Sequence, residues 1–257
     1  MRQTYRPALP KRAQSYLDGR AQATAGQPGI ERAWKAARQT AALATVVQTL
    51  QSMMGPRQRC MYCVDSHGCD IEHFWPKVSY PGRAFLWPNM LLCCTECGRL
   101  KGDRFPLSGD GDPMLVNPSA EDPWEHLDFD PDTGNLTARY DAVRGVSSPK
   151  GESTVQILRL DRREGMAEGY RRTYRRIVAC VQDFLADGGV DPRQLAQLLL
   201  EVDDHGLLGW CLGPVGVRMA PFAELHRNTP QAWAVCVAVA QRVGSSPAAR
   251  RLERQHG

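Results

Sequence analysis

Two Cys-x-x-Cys pairs, Cys60/Cys63 and Cys94/Cys97, stand on either side of an acidic-histidine element, Asp70-Ile71-Glu72-His73, and of Asn89. A two-residue spacer lets both sulfurs of a pair reach one ion, and four thiolates suit a tetrahedral Zn2+. A shell of four cysteines leaves no open position, so that zinc is expected to be structural. Glu72, His73 and Asn89 are not needed to hold it. They are residue types that a metal-dependent hydrolase uses beside it. Phosphodiester hydrolysis needs a base, and an imidazole with a pKa near neutrality is the natural one. It also needs charge neutralised at phosphorus, which a hard cation with oxygen ligands supplies. His73 is therefore the expected base and Glu72 the expected ligand of a catalytic Mg2+ or Mn2+. Asp70, two residues back on the same strand face, is a second candidate ligand. Lys101 and Arg99 are candidates to clamp a phosphate.

The chain of 257 residues is long enough to bury its own core, as one large domain or two small ones. The hydrophobic share of 42% and charged share of 23% are ordinary for a globular protein. Nine cysteines, four of them in metal-type pairs, do not read as a secreted disulfide framework. No apolar run approaches the ~20 residues that cross a bilayer, and the first residues have no apolar core of the signal-peptide kind. The cytoplasm is the expected location, without a membrane partner. The net charge of +4 is unevenly spread, with eight acids and no Lys or Arg between Phe105 and Ala138. Arg159 to Arg176 holds seven arginines against three acids. Arg171, Arg172 and Arg175 on that stretch are candidate phosphate contacts, and a solvated helix face explains them equally well.

The elements that must position these residues follow from periodicity. Residues 1–28 read as an irregular lead-in with one short helix. Apolar positions from Trp34 to Met54 recur at three- and four-residue intervals and predict one amphipathic helix over Ile30–Met54, ended by Gly55-Pro56. Leu127 to Asp130, Pro131 to Gly134 and Asn135 to Tyr140 read as strand, turn, strand, with Gly134 able to take positive φ in the turn. Ser147 to Gly151 is the expected joint between residues 1–150 and a mainly helical region 151–257. Helices are expected from near Ser153, after a break around Gly165 on to about Ala186, from Pro192 after an Asp191 cap, near Pro221 to Arg227, and from Pro230 to Val243. His126, His205 and His226 lack metal-type neighbours and read as structural.

The order Cys-x-x-Cys, Glu-His, Asn, Cys-x-x-Cys over Cys60 to Pro106 resembles the HNH endonuclease motif, the ββα-metal fold. Three segments narrow the likeness: Ile71-Glu72-His73-Phe74-x-Pro76-Lys77, Trp87-x-Asn89-x-Leu91-Leu92, and Lys101-Gly102-Asp103-x-Phe105-Pro106. With Asn117-Pro118, Glu121-Asp122-Pro123, His126-Leu127 and Leu158-x-Leu160-x-Arg162, they are similar to the HNH subunit of Septu-type and some retron-linked anti-phage systems, which is encoded beside an ATPase. The resemblance implies an α+β fold with a ββα core and a four-cysteine zinc site, cleavage of nucleic acid (DNA in the first instance), and an ATPase partner. It implies that Asn89 holds the base in place. The chain departs from the pattern at Gly98, where relatives carry a His or Asn that completes the metal site, and at Gly102, where some carry another ligand. Asp70 or Asp103 is the expected substitute. Two competing expectations remain: a zinc-stabilised DNA-binding module with a decayed site, and a scaffolding subunit.

Overall fold

The structure, a computed structural model, describes residues 1–243. The stretch after Ser245, which reads from the sequence as a loose tail with Arg250, Arg251 and Arg254, lies outside them. Three helices open the chain: α1 (Lys11–Thr24), α2 (Ile30–Ala37) and α3 (Ala41–Met53). The single helix expected over Ile30–Met54 is two, because Thr40 leaves helical geometry and its side chain accepts the Leu43 N–H at 3.4 Å, starting a new helix. The break lets Trp34 and the α3 residues Leu43, Val46 and Leu50 all be buried on differently aimed faces. The lead-in is also more ordered than its composition suggested. Arg6 donates to the carbonyls of Trp87 and Met90 at 2.9 and 2.7 Å, and its guanidinium lies over the Trp87 ring.

Strands β1 (Asp70–His73) and β2 (Met90–Cys93) pair antiparallel, with Glu72 opposite Leu91 and His73 opposite Met90. Helix α4 (Thr95–Lys101) follows at once. All four β2 residues are buried, so this small sheet is covered on both faces. The α+β expectation holds at this level. Strands β3 (Leu127–Phe129) and β4 (Leu136–Ala138) form the expected hairpin, and β5 (Tyr140–Asp141) pairs with β6 (Val146–Ser147).

The rest is helical: α5 (Pro149–Leu158), α6 (Glu164–Ala186), α7 (Pro192–Val202), α8 (Leu208–Cys211), α9 (Phe222–Asn228) and α10 (Pro230–Val243). The helix expected near Ser153 begins earlier, at Pro149, because Ser148 caps it by accepting the Gly151 N–H. Buried residues from Met1 to Cys236 form one cluster spanning both sides of Ser147–Gly151. Helix α6 is the spine. Met166, Tyr170, Ile177 and Val181 face inward along it, while Arg172 and Arg175 are exposed. Tyr170 reaches the loop of the first cysteine pair and donates its hydroxyl to the Cys63 carbonyl at 3.0 Å. No helix among the described residues is long and apolar enough to cross a membrane.

The β3–β4 turn closes against α6. Gly134 has φ of +80°, and a Cβ there would lie 2.1 Å from the Ala167 carbonyl oxygen. Gly134→Ala therefore combines backbone strain with a clash against rigid helix backbone. The expected loss is about 2–4 kcal/mol of stability, read by urea unfolding of the zinc-loaded protein. A change within about 0.5 kcal/mol would contradict the packing of this turn.

Candidate metal centre and active site

The sulfurs of Cys60, Cys63, Cys94 and Cys97 all lie within 4.8 Å of one another, and all four residues are buried. A tetrahedron with Zn–S bonds of about 2.3 Å has edges of about 3.8 Å, and the Cys63 and Cys94 sulfurs are 3.9 Å apart. The donor set and its spacing fit zinc. Cys60 and Cys63 sit in the loop before β1, where Val64 takes φ of +48°. Cys94 caps α4, its sulfur accepting the Cys97 N–H at 3.4 Å, which brings the second pair together within one turn. Crowding sets the thiols against one another. Hydrogen bonds from Cys60, Cys94 and Cys97 push Cys63 well below the usual thiol range, while the other three are pushed up. Four sulfurs so placed ionise together only around a cation. Cys93 is nearby, its sulfur 4.0 Å from that of Cys60, but it donates to the Cys94 carbonyl and stands outside the four. Arg163, at the start of α6, donates to the Cys97 sulfur at 3.2 Å and pairs with Glu96.

At the far end of β1, Glu72 and His73 point to opposite faces, as neighbours on a strand must. His73 is 4% exposed. Its Nε2 lies 2.9 Å from the Ala84 carbonyl. A carbonyl only accepts, so Nε2 carries the proton and the lone pair of the neutral ring is on Nδ1. The Trp34 ring of α2 meets the imidazole edge-on, with centroids 4.3 Å apart. Burial lowers the His73 pKa to about 3, with the Ala84 bond opposing and Lys77 and Lys101 adding. The expected pKa near neutrality is thus corrected: the ring is neutral at physiological pH and a weak base as it stands.

Asn89 is buried and almost fully bonded. Its Oδ1 accepts the Trp75 N–H at 2.7 Å, and its Nδ2 donates to the carbonyls of Trp75 and Arg83, both at 3.0 Å. It therefore pins the loop from Phe74 to Asn89, including Ala84, the residue that orients His73. Among the described residues Asn89 makes no hydrogen bond to the ring.

On the other face, Lys101 departs furthest from expectation. Its side chain is fully buried and its ammonium donates to Glu72 Oε1 at 2.9 Å, the His73 carbonyl at 2.7 Å and the Gly102 carbonyl at 3.3 Å. It cannot clamp a phosphate from there, which corrects that expectation. Burial pushes the Glu72 carboxyl up, and Lys101 beside it pulls the other way. Glu72 Oε2 has no hydrogen-bond partner among the described residues. It faces Gly98, where a Cβ would lie 3.5 Å from it. Asp70 does not join Glu72: its carboxylate pairs with Arg38 at 2.8 Å. Asp103 and Arg99 lie around the end of α4, both exposed. Among the described residues, the four cysteines are the one group of three or more His, Cys, Asp or Glu side chains close enough to share an ion.

Of the helical arginines, Arg171 pairs with Glu168, and Arg172 and Arg175 are exposed with no ion pair among the described residues. Two of the histidines read as structural are bonded within the fold. His205 lies between Thr173 and Asp65, and His126 between Ser148 and Glu121. The third, His226, packs its ring against Trp233. The acidic stretch is partly used internally, with Glu121 held by Lys150 and Asp128 accepting from the Trp210 indole. A cavity of about 770 Å3 is lined by Arg2, Arg57, Trp124 and Asp203 among others and includes none of Glu72, His73, Asn89 or Lys101.

Freshly purified protein is expected to carry one zinc per chain, and Cys97→Ala to lose it together with the cooperative unfolding transition, read by metal analysis and circular dichroism. Retention of full zinc by that variant would remove Cys97 from the shell. The His73 ring is expected to show no titration between about pH 5 and 8 by NMR. Its folded pKa lies below the unfolded value, so its contribution to stability is complete above the unfolded pKa and is lost as pH falls from there toward 3. A ring titrating near 6.5 would show that Trp34 does not cover it.

No family model matches the chain, and no solved structure matches it. The Septu protein PtuB of Bacillus mycoides (strain KBAB4) is 32% identical over 137 residues, covering 41% of this chain and 44% of that protein. The Septu protein PtuB of Bacillus thuringiensis is 27% identical over 108 residues, 40% of this chain and 37% of that protein. The chain thus spans less than half the length of these curated relatives. Over that part it is similar to Septu PtuB proteins, which supports a Septu PtuB-like protein.

Proposed function

We propose that this chain is an HNH-type endonuclease, built on a ββα core, that hydrolyses nucleic-acid phosphodiesters and works as the effector of an anti-phage defence complex with an ATPase. The carrying observation is His73 at the end of β1, its Nε2 tied to Ala84 and its Nδ1 left with the lone pair, next in sequence to Glu72. The order strand, strand, helix and the four-cysteine cluster beside it support the same reading. The partial likeness to Septu PtuB proteins supports the defence setting, and the ATPase is what the motif resemblance implies. DNA is the preferred substrate.

In this reading His73 Nδ1 takes the proton of an attacking water. The water oxygen bonds to phosphorus, the bond to the leaving oxygen breaks, and that oxygen is protonated from solvent. Arg99, Arg172 and Arg175 contribute phosphate contacts. The catalytic divalent ion expected from the sequence is not well served by the residues present. Glu72 offers one unpaired carboxylate oxygen, Oε2, while Asp70 is turned to Arg38 and positions 98 and 102 are glycine. The proton transfer at His73 is therefore derived without such an ion. His73 is 4% exposed with Trp34 packed edge-on against it, so substrate reaches Nδ1 only when the packing around the ring opens, and activity that depends on the partner fits that requirement. A second reading, a zinc-stabilised DNA-binding or scaffolding subunit, draws on the same buried ring and on Gly98.

Plasmid cleavage by the zinc-loaded chain, alone and with the ATPase, in Mg2+ or Mn2+, separates these readings. His73→Ala is expected to slow cleavage by at least about 100-fold, and equal cleavage by that variant would remove His73 as base. DNA retention without cleavage under every condition would favour the second reading instead. Arg172→Ala with Arg175→Ala is expected to lower the slope of log affinity against log salt by about 2; an unchanged slope would take α6 out of the interface.

A further inference from the structure

The buried ammonium of Lys101 has a role that the sequence motif alone did not suggest. Three acceptors surround it, Glu72 Oε1, the His73 carbonyl and the Gly102 carbonyl, at 2.9, 2.7 and 3.3 Å. Three acceptors match the three protons of –NH3+. A fully desolvated ammonium keeps such a pair firmly, because parting from Glu72 would strand both charges. Lys101 lies three residues beyond Gly98, on the same face of α4. The helix that faces Glu72 with no donor at position 98 therefore delivers a positive charge from the next turn. A divalent ion on Glu72 Oε2 would sit across one carboxylate from that ammonium, and at such range in a partly dry site the repulsion is severe.

We propose that Lys101 is the resident cation of this site, holding the charge position beside Glu72 that a protein-bound divalent ion would take, so that the folded chain binds no divalent ion at Glu72 while Lys101 is present. The proposal rests on the nuclease reading of Glu72 and His73 and deepens it. Lys101 is a positioning residue: it sets the charge state around Glu72 and ties down the last carbonyl of β1. A divalent ion that takes part in cleavage then has to bring most of its ligands with the substrate phosphate.

Manganese binding to the zinc-loaded full chain tests this without reference to cleavage, by loss of the electron paramagnetic resonance signal of free Mn2+. Wild type is expected to show no site that Glu72→Gln abolishes at millimolar manganese. Lys101→Ala is expected to gain one, half-filled at a manganese concentration at least about tenfold below the highest at which wild type shows none, and the double variant Lys101→Ala with Glu72→Gln to lose it. A wild-type manganese site that vanishes in Glu72→Gln would overturn the proposal, and so would a zinc-loaded Lys101→Ala protein that gains none. Should Lys101→Ala fail to hold zinc, the wild-type and Glu72→Gln titrations decide alone: absence of a Glu72-dependent site supports the proposal and its presence overturns it. Cleavage unaffected by His73→Ala would count against the nuclease reading and leave the manganese result standing.

Discussion

Four buried sulfurs close enough to share one cation set the geometry around them. Thiolates this close repel, and burial adds to the cost of ionising each, so their convergence is stable only with a divalent ion between them. One pair comes from the loop ahead of β1 and the other from the first turn of α4, and β2 runs between. Joining the pairs fixes where α4 starts. That helix has seven residues, too few to persist in water on their own. It is held at one end by sulfur and at the other by Lys101.

Those two ends divide the work. At the first, Arg163 against Cys97 and Tyr170 against the Cys63 carbonyl bind the metal loop to α6. At the second, Lys101 draws together Glu72 and the last carbonyl of β1. His73 is thereby turned to the opposite face, where Ala84 and Trp34 receive it. Asn89 keeps Ala84 in register by holding the intervening loop at both Trp75 and Arg83. The carboxylate is matched by a charge the chain supplies itself, and the imidazole is kept neutral by burial. The arrangement is charge-balanced as it stands.

What the sequence made legible was local. The cysteine pairs announce their ion because each pair's geometry is set within four residues. The hairpin around Gly134 and the Asp191 cap with Pro192 are likewise decided by neighbours. The break at Thr40 was missed because apolar spacing runs on through the cap and hides the change of axis. Helix α1 buries Ala13 and Leu17 alone, too faint a stripe to mark its length. The contacts that change the chemistry are all long-range: Trp34 over His73, Arg38 against Asp70, Lys101 under Glu72. A lysine in the turn after the second cysteine pair reads as a surface cation, and only the packing of α4 on β1 turns it inward.

Sulfur alone must surround the ion that joins the loop to α4 if the site is built as described. X-ray absorption at the zinc edge of the intact protein measures that directly. Four sulfurs at about 2.3 Å and no nitrogen or oxygen are the predicted set of ligands. Fewer sulfurs, or a nitrogen or oxygen ligand near 2.0 Å, would mean that the chain folds around its metal in some other way.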